Sequence, residues 1–204
     1  MRYDNLGGFK SIDKFVGHKI DALIKSDKSM RSLYALMFSE SENVMFEETD
    51  GFRIKKTTYG QVKATIEEIS PDIRRKADSG NGSVIGVYMD NCPLMIAVFW
   101  AILKAGYKPL LINKRLPDET IENTLKELNA VAVVSDGKIF SVKTVKASDL
   151  GKNDAISDDA AFGEEFFVMS SGTNSVKVCA YTSEQVIPII ENSAYILKKN
   201  KTIK

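Results

Sequence analysis

The chain has 204 residues, 44% hydrophobic and 27% charged, so it can bury a sizeable core as an ordinary globular domain does. Lysine plus arginine (28) nearly balance aspartate plus glutamate (27), which removes the long-range field that steers proteins onto nucleic acid or an anionic membrane. One histidine and two cysteines without CxxC spacing cannot assemble the usual metal-ligand cluster, so no metal site is expected, and the thiols read as reduced and cytosolic.

The N-terminal MRYDNLGGFK lacks an apolar stretch of signal-peptide length, so a cytoplasmic location is expected. Residues 11–25 carry Ile12, Phe15, Val16, Ile20, Leu23 and Ile24 at helical spacing behind Ser11 as a cap. A second helix is predicted over 27–38, with Met30, Leu33, Tyr34 and Met37 on one stripe. Residues 44–48 and 52–57 flank Thr49-Asp50-Gly51 and predict a β-hairpin, since Gly51 takes positive φ at little cost. From Thr58, the positions Tyr59, Val62, Ile66 and Ile69 predict a helix that Pro71 should kink or end.

After a polar turn at 78–83, SVIGVYM and KPLLI read as strands on either side of an apolar helix. That run, residues 94–103, is about half of what a bilayer span needs, so it is a buried element and no membrane span is expected. Asp90 or Asn91 is the expected cap, Pro93 suits the first turn, and Gly106 suits a left-handed stop. A helix apolar all round needs cover on every side, which predicts a layered α/β sandwich with a mostly parallel sheet and this helix at its centre.

Pro117, Asp118 and Glu119 open the next helix, with Ile121, Leu125 and Leu128 on its face, and AVAVV (130–134) supplies another strand. Asp136-Gly137 turns the chain, and residues 143–163 read as a long connection. Residues 166–169 and 176–181 are the last strands. Thr182 and Gln185 have capping-box spacing ahead of a closing helix carrying Val186, Ile189, Ile190, Ala194 and Leu197.

Between the last two strands lies Ser170-Ser171-Gly172-Thr173-Asn174-Ser175, followed by Val176 and Lys177. Phosphate oxygens need many short donors, a cation and a backbone that comes close, and this composition provides them. The same residues also make an ordinary polar hairpin loop. GxxxxGK followed by Ser or Thr is missing, and the segment leads into a strand, so it is not a Walker loop.

VMSSGTNSVKVCAYT resembles the phosphate loop of the adenylate-forming superfamily, T/S-S/G-G-S/T-T-G-x-P-K-G, which also stands between two strands. VIGVYMDNCPLMIAVFWAILKAGYKPLLINKRLPDETIENTLKELNAVAVVSD is similar to the family's strand, buried helix ending in KAG, strand, R-L-P turn and helix. KTTYGQVKATIEEI resembles its T-Y-x-x-L helix start, so the likeness covers roughly residues 40–190 in the right order.

The resemblance implies the N-terminal portion of an AMP-forming acyl-CoA synthetase, with residues 1–204 as one α/β subdomain that ends before the remaining catalytic segments. It places Ser170, Ser171, Gly172 and Thr173, with Asn174 and Ser175, on the loop that holds the β- and γ-phosphates of ATP, and Lys177 on the loop lysine. The second glycine and the proline are absent, and the stretch between Thr173 and Lys177 is one residue shorter than the pattern, so phosphate affinity or loop mobility is altered. ATP with Mg2+ and coenzyme A are the implied cofactors, although no adenine or coenzyme A contact is legible. The chain alone is expected to be inactive, with apolar surface open to the rest of a synthetase or to self-association. An amino-acid-activating domain of a peptide synthetase is a sister reading, and a non-catalytic α/β interaction module the reading from another class.

Other signals have plainer readings. Gly80, Gly82 and Gly86 precede and enter a strand, unlike a dinucleotide fingerprint. His18 lies on a solvated helix. Glu47-Glu48 point to opposite faces of a strand, and Asp158-Asp159 lie in a loop. Cys179, among apolar strand neighbours, is expected to be a buried, inert thiol.

Overall fold

The computed structural model describes residues 19, 21–49, 51–151, 161–171 and 176–200, and the side chains of these except 171 and 194–200. The cap at Ser11 and most of the first predicted helix therefore lie outside the described residues, though residues 21–24 are helical. Helix α1 (Met30–Met37) starts later than the spacing alone predicts. Ser29 caps it by accepting from the Ser32 amide, while Asp27 stands outside and accepts from the hydroxyls of Ser29 and Ser32.

Strands β1 (Val44–Thr49) and β2 (Ile54–Thr58) form the expected antiparallel hairpin, with Gly51 at φ +93° in its turn. Helix α2 (Tyr59–Ala77) begins with a complete capping box: Thr58 accepts from the Gln61 amide, and Gln61 accepts from the Thr58 amide. Pro71 does not end it. Ile66, Ile69, Ile73 and Ala77 continue one buried stripe through that point, so apolar burial outweighs the missing proline donor.

Strand β3 (Val84–Tyr88), helix α3 (Pro93–Lys104) and strand β4 (Lys108–Leu111) make the predicted parallel crossover. Neither Asp90 nor Asn91 caps α3. Cys92 takes the cap position without a side-chain bond, while Asp90 turns to pair with Lys114. Gly106 stops the chain in the left-handed region, φ +86°, as expected. Cover is also less complete than an all-round apolar helix predicts: Val98, Ala101, Ile102 and Leu103 are fully buried, but Leu94, Met95, Ile96 and Phe99 are only half-buried.

Helix α4 (Asp118–Glu127) buries Ile121 and Leu125 and leads to strand β5 (Ala132–Ser135), parallel to β3 on the side away from β4. The long connection is corrected here. Residues 144–149 form strand β6 (Thr144–Lys146), parallel to β5, and a 3-10 turn (Ala147–Asp149). A three-residue strand with one buried side chain, Val145, leaves almost no alternation to detect. Strands β7 (Glu165–Ser171) and β8 (Val176–Thr182) close the sheet as an antiparallel pair, in the order β6-β5-β3-β4-β7-β8. Every neighbouring pair except β7–β8 is parallel.

Helix α5 (Ser183–Asn200) contains Pro188, and the Thr182 amide donates to the Gln185 side chain as its spacing predicts. Its inward face is shifted from the expected stripe. Ile187 is fully buried and Ile189 is 57% exposed, and Ser183, one turn before Ile187, is buried with it. Ala194 and Leu197 have side chains outside those described.

Alternation along the strands divides the core in two. Ile85, Val87, Ala132 and Val134 face α1, α2 and α3, whereas Val84, Leu110, Val133 and Met169 face α4. On the first side Trp100 lies 5.6 Å from Tyr34 and 6.1 Å from Phe38 between ring centroids. Tyr34 donates to Glu67 at 2.8 Å, and Glu67 pairs with Lys104 at 3.1 Å. Burial first, and then Glu67, hold the Tyr34 phenol far above its usual range.

Two substitutions test this packing. Trp100→Ala should cost about 3–5 kcal/mol in urea unfolding, and a loss below about 1 kcal/mol would contradict the buried placement. A Cβ on Gly86 would stand 2.9 Å from Ile112 Cδ1 and 3.2 Å from Leu125 Cδ2, so α4 lies close over the sheet there. Gly86→Ala should destabilise by about 1–3 kcal/mol, and combining it with Leu125→Ala should give less than the sum of the two losses.

Candidate functional site

The C-terminal ends of β3, β4, β5 and β7 share one edge of the sheet. After β3 the chain crosses to β4 on one side, and after β4 it returns past β3 to β5 on the other. Such a reversal of strand order leaves a crevice at the carboxyl ends, the usual ligand position in open α/β sheets. Ser170 and Ser171 end β7 on this edge.

Phe166, Val168 and Ser170 of β7 pair with Tyr181, Cys179 and Lys177 of β8. Directly opposed residues share a face, so the Ser170 hydroxyl and the Lys177 ammonium project from the same side of the hairpin. Met169 is buried toward α4 instead, with Val176 and Val178 packed on the same cluster. Ser170 and Lys177 are both exposed, and the Ser170 hydroxyl lies 3.4 Å from the Lys177 carbonyl, to which it donates weakly. Phe166 stacks on Tyr181 at 5.2 Å and meets Phe99 of α3 edge-on at 5.3 Å, which fixes the base of the hairpin against the buried helix.

Of the seven predicted site residues, the structure brings Ser170 and Lys177 together and sets Ser171 opposite Val176. Gly172, Thr173, Asn174 and Ser175 lie outside the described residues. Cys179, expected to be buried, is only half-buried, because β8 is the edge strand of the sheet.

A second charged group on this edge was not legible from spacing. Lys114, just beyond β4, pairs with Asp90 at 3.0 Å and Asp136 at 2.9 Å, which lie beyond β3 and β5, and stands 5.2 Å over the Tyr88 ring. Burial raises the Asp136 carboxyl most, but the hydrogen bond from Lys114, that from the Asp90 amide and the Lys114 charge together outweigh it and leave the group below its usual range. Hydrogen bonds to Asp136 and Asp90 hold the Lys114 ammonium above its own. Lys114 therefore ties three strand ends together. Among the described residues no group of three or more His, Cys, Asp or Glu is placed to hold a metal ion, and no helix is long and apolar enough to cross a membrane.

Comparison with known proteins adds the following. A family model described as AMP-binding enzyme matches residues 38–196. Two curated proteins are similar: the FR901469 synthetase of Dothideomycetidae sp. (strain 11243), 24% identical over 160 residues, and the hydroxamate-type ferrichrome siderophore peptide synthetase of Schizosaccharomyces pombe (strain 972 / ATCC 24843), 26% identical over 153 residues. The matches take in 78% and 68% of this chain but only 1% and 3% of those proteins. The fold is like that of the N-terminal subdomain of Klebsiella oxytoca NpsA (TM-score 0.62, 12% identity, 78% of this chain and 43% of that one). It is also like Bacillus subtilis O-succinylbenzoate coenzyme A synthetase (MenE) in complex with AMP (TM-score 0.60, 16% identity, 74% and 41%).

Because Lys177 is exposed on an edge strand and contributes charge without core packing, Lys177→Ala should leave the unfolding midpoint unchanged within error. The same change should weaken pyrophosphate binding by about tenfold or more, as loss of a hydrogen bond to a charged group does. Equal affinity of variant and parent by titration calorimetry would remove Lys177 from the site.

Proposed function

This chain belongs to the AMP-binding enzyme family, and on that premise we propose that it supplies the outer-phosphate contacts of a site that activates a carboxylic acid with ATP. The observation that carries this reading is the placement of the Ser170 hydroxyl and the Lys177 ammonium on one face of the β7–β8 hairpin, at the carboxyl edge of the sheet. An exposed cation beside a hydroxyl suits a phosphate oxygen. Ser171 and residues 172–175 complete the segment in sequence and carry further donors.

In this reading the nucleotide supplies the phosphoanhydride, and the acid is converted to acyl-AMP with release of pyrophosphate. Lys177 and the hydroxyls hold the β- and γ-phosphates and offset their charge as pyrophosphate leaves, a positioning and electrostatic role. Magnesium would accompany the nucleotide. The acyl group then passes from AMP to the thiol of coenzyme A, which makes the parent protein an acid–thiol ligase in the cytoplasm.

A second reading, an amino-acid adenylation domain, is favoured by the similarity to a siderophore peptide synthetase, although the matched part is a small share of that protein. A non-catalytic interaction module is the third. In the first two readings the segment 170–177 supplies the outer-phosphate contacts.

Pyrophosphate exchange with a panel of fatty, aryl and amino acids discriminates among these readings. The 204-residue chain alone is expected to show no acid-dependent exchange, and exchange by a longer chain, should the gene encode one, would support the first two readings. Its preferred acid, and the thiol that then accepts the acyl group, would separate the first two readings. Protection of the 170–177 segment by ATP with magnesium in hydrogen exchange is expected for both, and its absence would favour the third.

A further inference from the structure

One edge of the six-stranded sheet is guarded and the other is open. Strand β6, at one end of the order, is three residues long and finishes on Lys146, both features that discourage pairing with another chain. Strand β8, at the other end, runs seven residues as VKVCAYT, with one charge, no proline and no glycine, and its register with β7 is continuous, without a bulge. Such a strand is a ready template for a further one.

The ladder decides which backbone groups point outward. The Ser183 amide donates to the Glu164 carbonyl at 3.0 Å, a bond that flanks the Glu165 and Thr182 pair and makes it a non-hydrogen-bonded one. Alternation then turns the N–H and C=O of Val176, Val178, Ala180 and Thr182 away from β7. The Thr182 amide meets the Gln185 side chain at 3.1 Å on that outward side. Among the described residues no strand pairs with the outward groups of Val176, Val178 and Ala180, and Ala180 is exposed.

We infer that this edge joins two copies of the chain, β8 against β8, antiparallel about Cys179, and this inference does not rest on the proposed function. The strand is complementary to itself in that register. Val178 and Ala180 exchange amide bonds between the copies, and each Val176 amide reaches the Thr182 carbonyl of the other copy, so the Gln185 contact is kept. Pairing about Lys177 would set like charges directly opposite and destabilise the contact. Pairing about Cys179 instead keeps the two lysines about 13 Å apart along the strands, each opposite a Tyr181 ring.

The two Cys179 residues then form a non-hydrogen-bonded pair with Cα atoms about 4.5 Å apart, within the range a disulfide spans. One strand pair covers less area than a permanent interface, so the dimer is weak and depends on concentration.

Sedimentation equilibrium should show the mass rising from monomer toward dimer as concentration is raised about a hundredfold from the low micromolar range. The Val178 and Ala180 amides should exchange about threefold or more slowly at the upper concentration than at the lower. Ala180→Pro removes an outward donor and leaves the ladder with β7 intact, so it should hold the chain monomeric without moving the unfolding midpoint. In a Cys92→Ser chain, which keeps β8 as it is, diamide should link Cys179 to Cys179 of the other copy several times faster than in the urea-unfolded chain at the same concentration. Should the midpoint of Ala180→Pro fall, this cross-linking rate decides.

A mass that stays monomeric throughout, cross-linking no faster than in the unfolded chain, or a dimer that survives in folded Ala180→Pro would overturn the inference. Protection of the Val178 and Ala180 amides that is equal at every concentration would do the same, since a segment of the chain itself would then cover the edge.

Discussion

Burial of one helix organises this chain. Helix α3 presents Val98, Ala101, Ile102 and Leu103, each with no exposed surface, and Trp100 with very little, between the sheet and α2. A segment this apolar is stable only when layers of structure enclose it, so the flanking strands must pair and α2 must lie across it. The crossover then runs parallel, because a helix of this length returns the chain to the same end of the sheet. The aromatic group of Tyr34, Phe38 and Trp100 extends that enclosure to α1.

Once the first face is occupied, the period of two along each strand sends every other side chain to the second. Gly86 lets α4 approach that face closely, with Ile112, Val133 and Leu125 filling the space a side chain would need. The two crossovers leave opposite sides of β3, so the carboxyl ends of the strands part at one place on the sheet. Lys114 bridges the acidic residues beyond β3 and β5 there, and β7 ends on the same edge. The β7–β8 hairpin thus stands where the topology opens the sheet, and the stacking of Phe99, Phe166 and Tyr181 holds its base.

This arrangement explains how a shortened, proline-free loop can keep the placement of its flanks. Antiparallel pairing from Glu165–Thr182 through Ser171–Val176 fixes which side chains face each other up to the loop itself. Family membership rests on the long matched stretch, and the similar solved structures support the fold. The reaction assigned to the chain is an inference from that family and from the opposed serine and lysine, since this chain spans under half of the similar solved structures.

The sequence by itself determined the elements with strong periodicity or punctuation. The hairpin around Gly51, the strand-helix-strand crossover with its stop at Gly106, and the two strands around the serine-rich segment all carry signals within a few residues. The candidate site residues were singled out because their order matches a family pattern, and not because composition distinguishes a phosphate loop from a polar turn. Tertiary structure decided the rest. Helix α2 continues past Pro71 because its apolar stripe has a surface to lie on, and the first turn of α3 stays half-open because nothing described covers it completely. Strand β6 exists because the edge of β5 offers it hydrogen bonds, and Ile187 is buried where Ile189 is not because packing covers only one side of α5. The Lys114 bridge joins residues 46 positions apart, Asp90 and Asp136. Local propensity can signal a helix or a turn, but which face is covered and which distant charges meet depend on the packing of the whole chain.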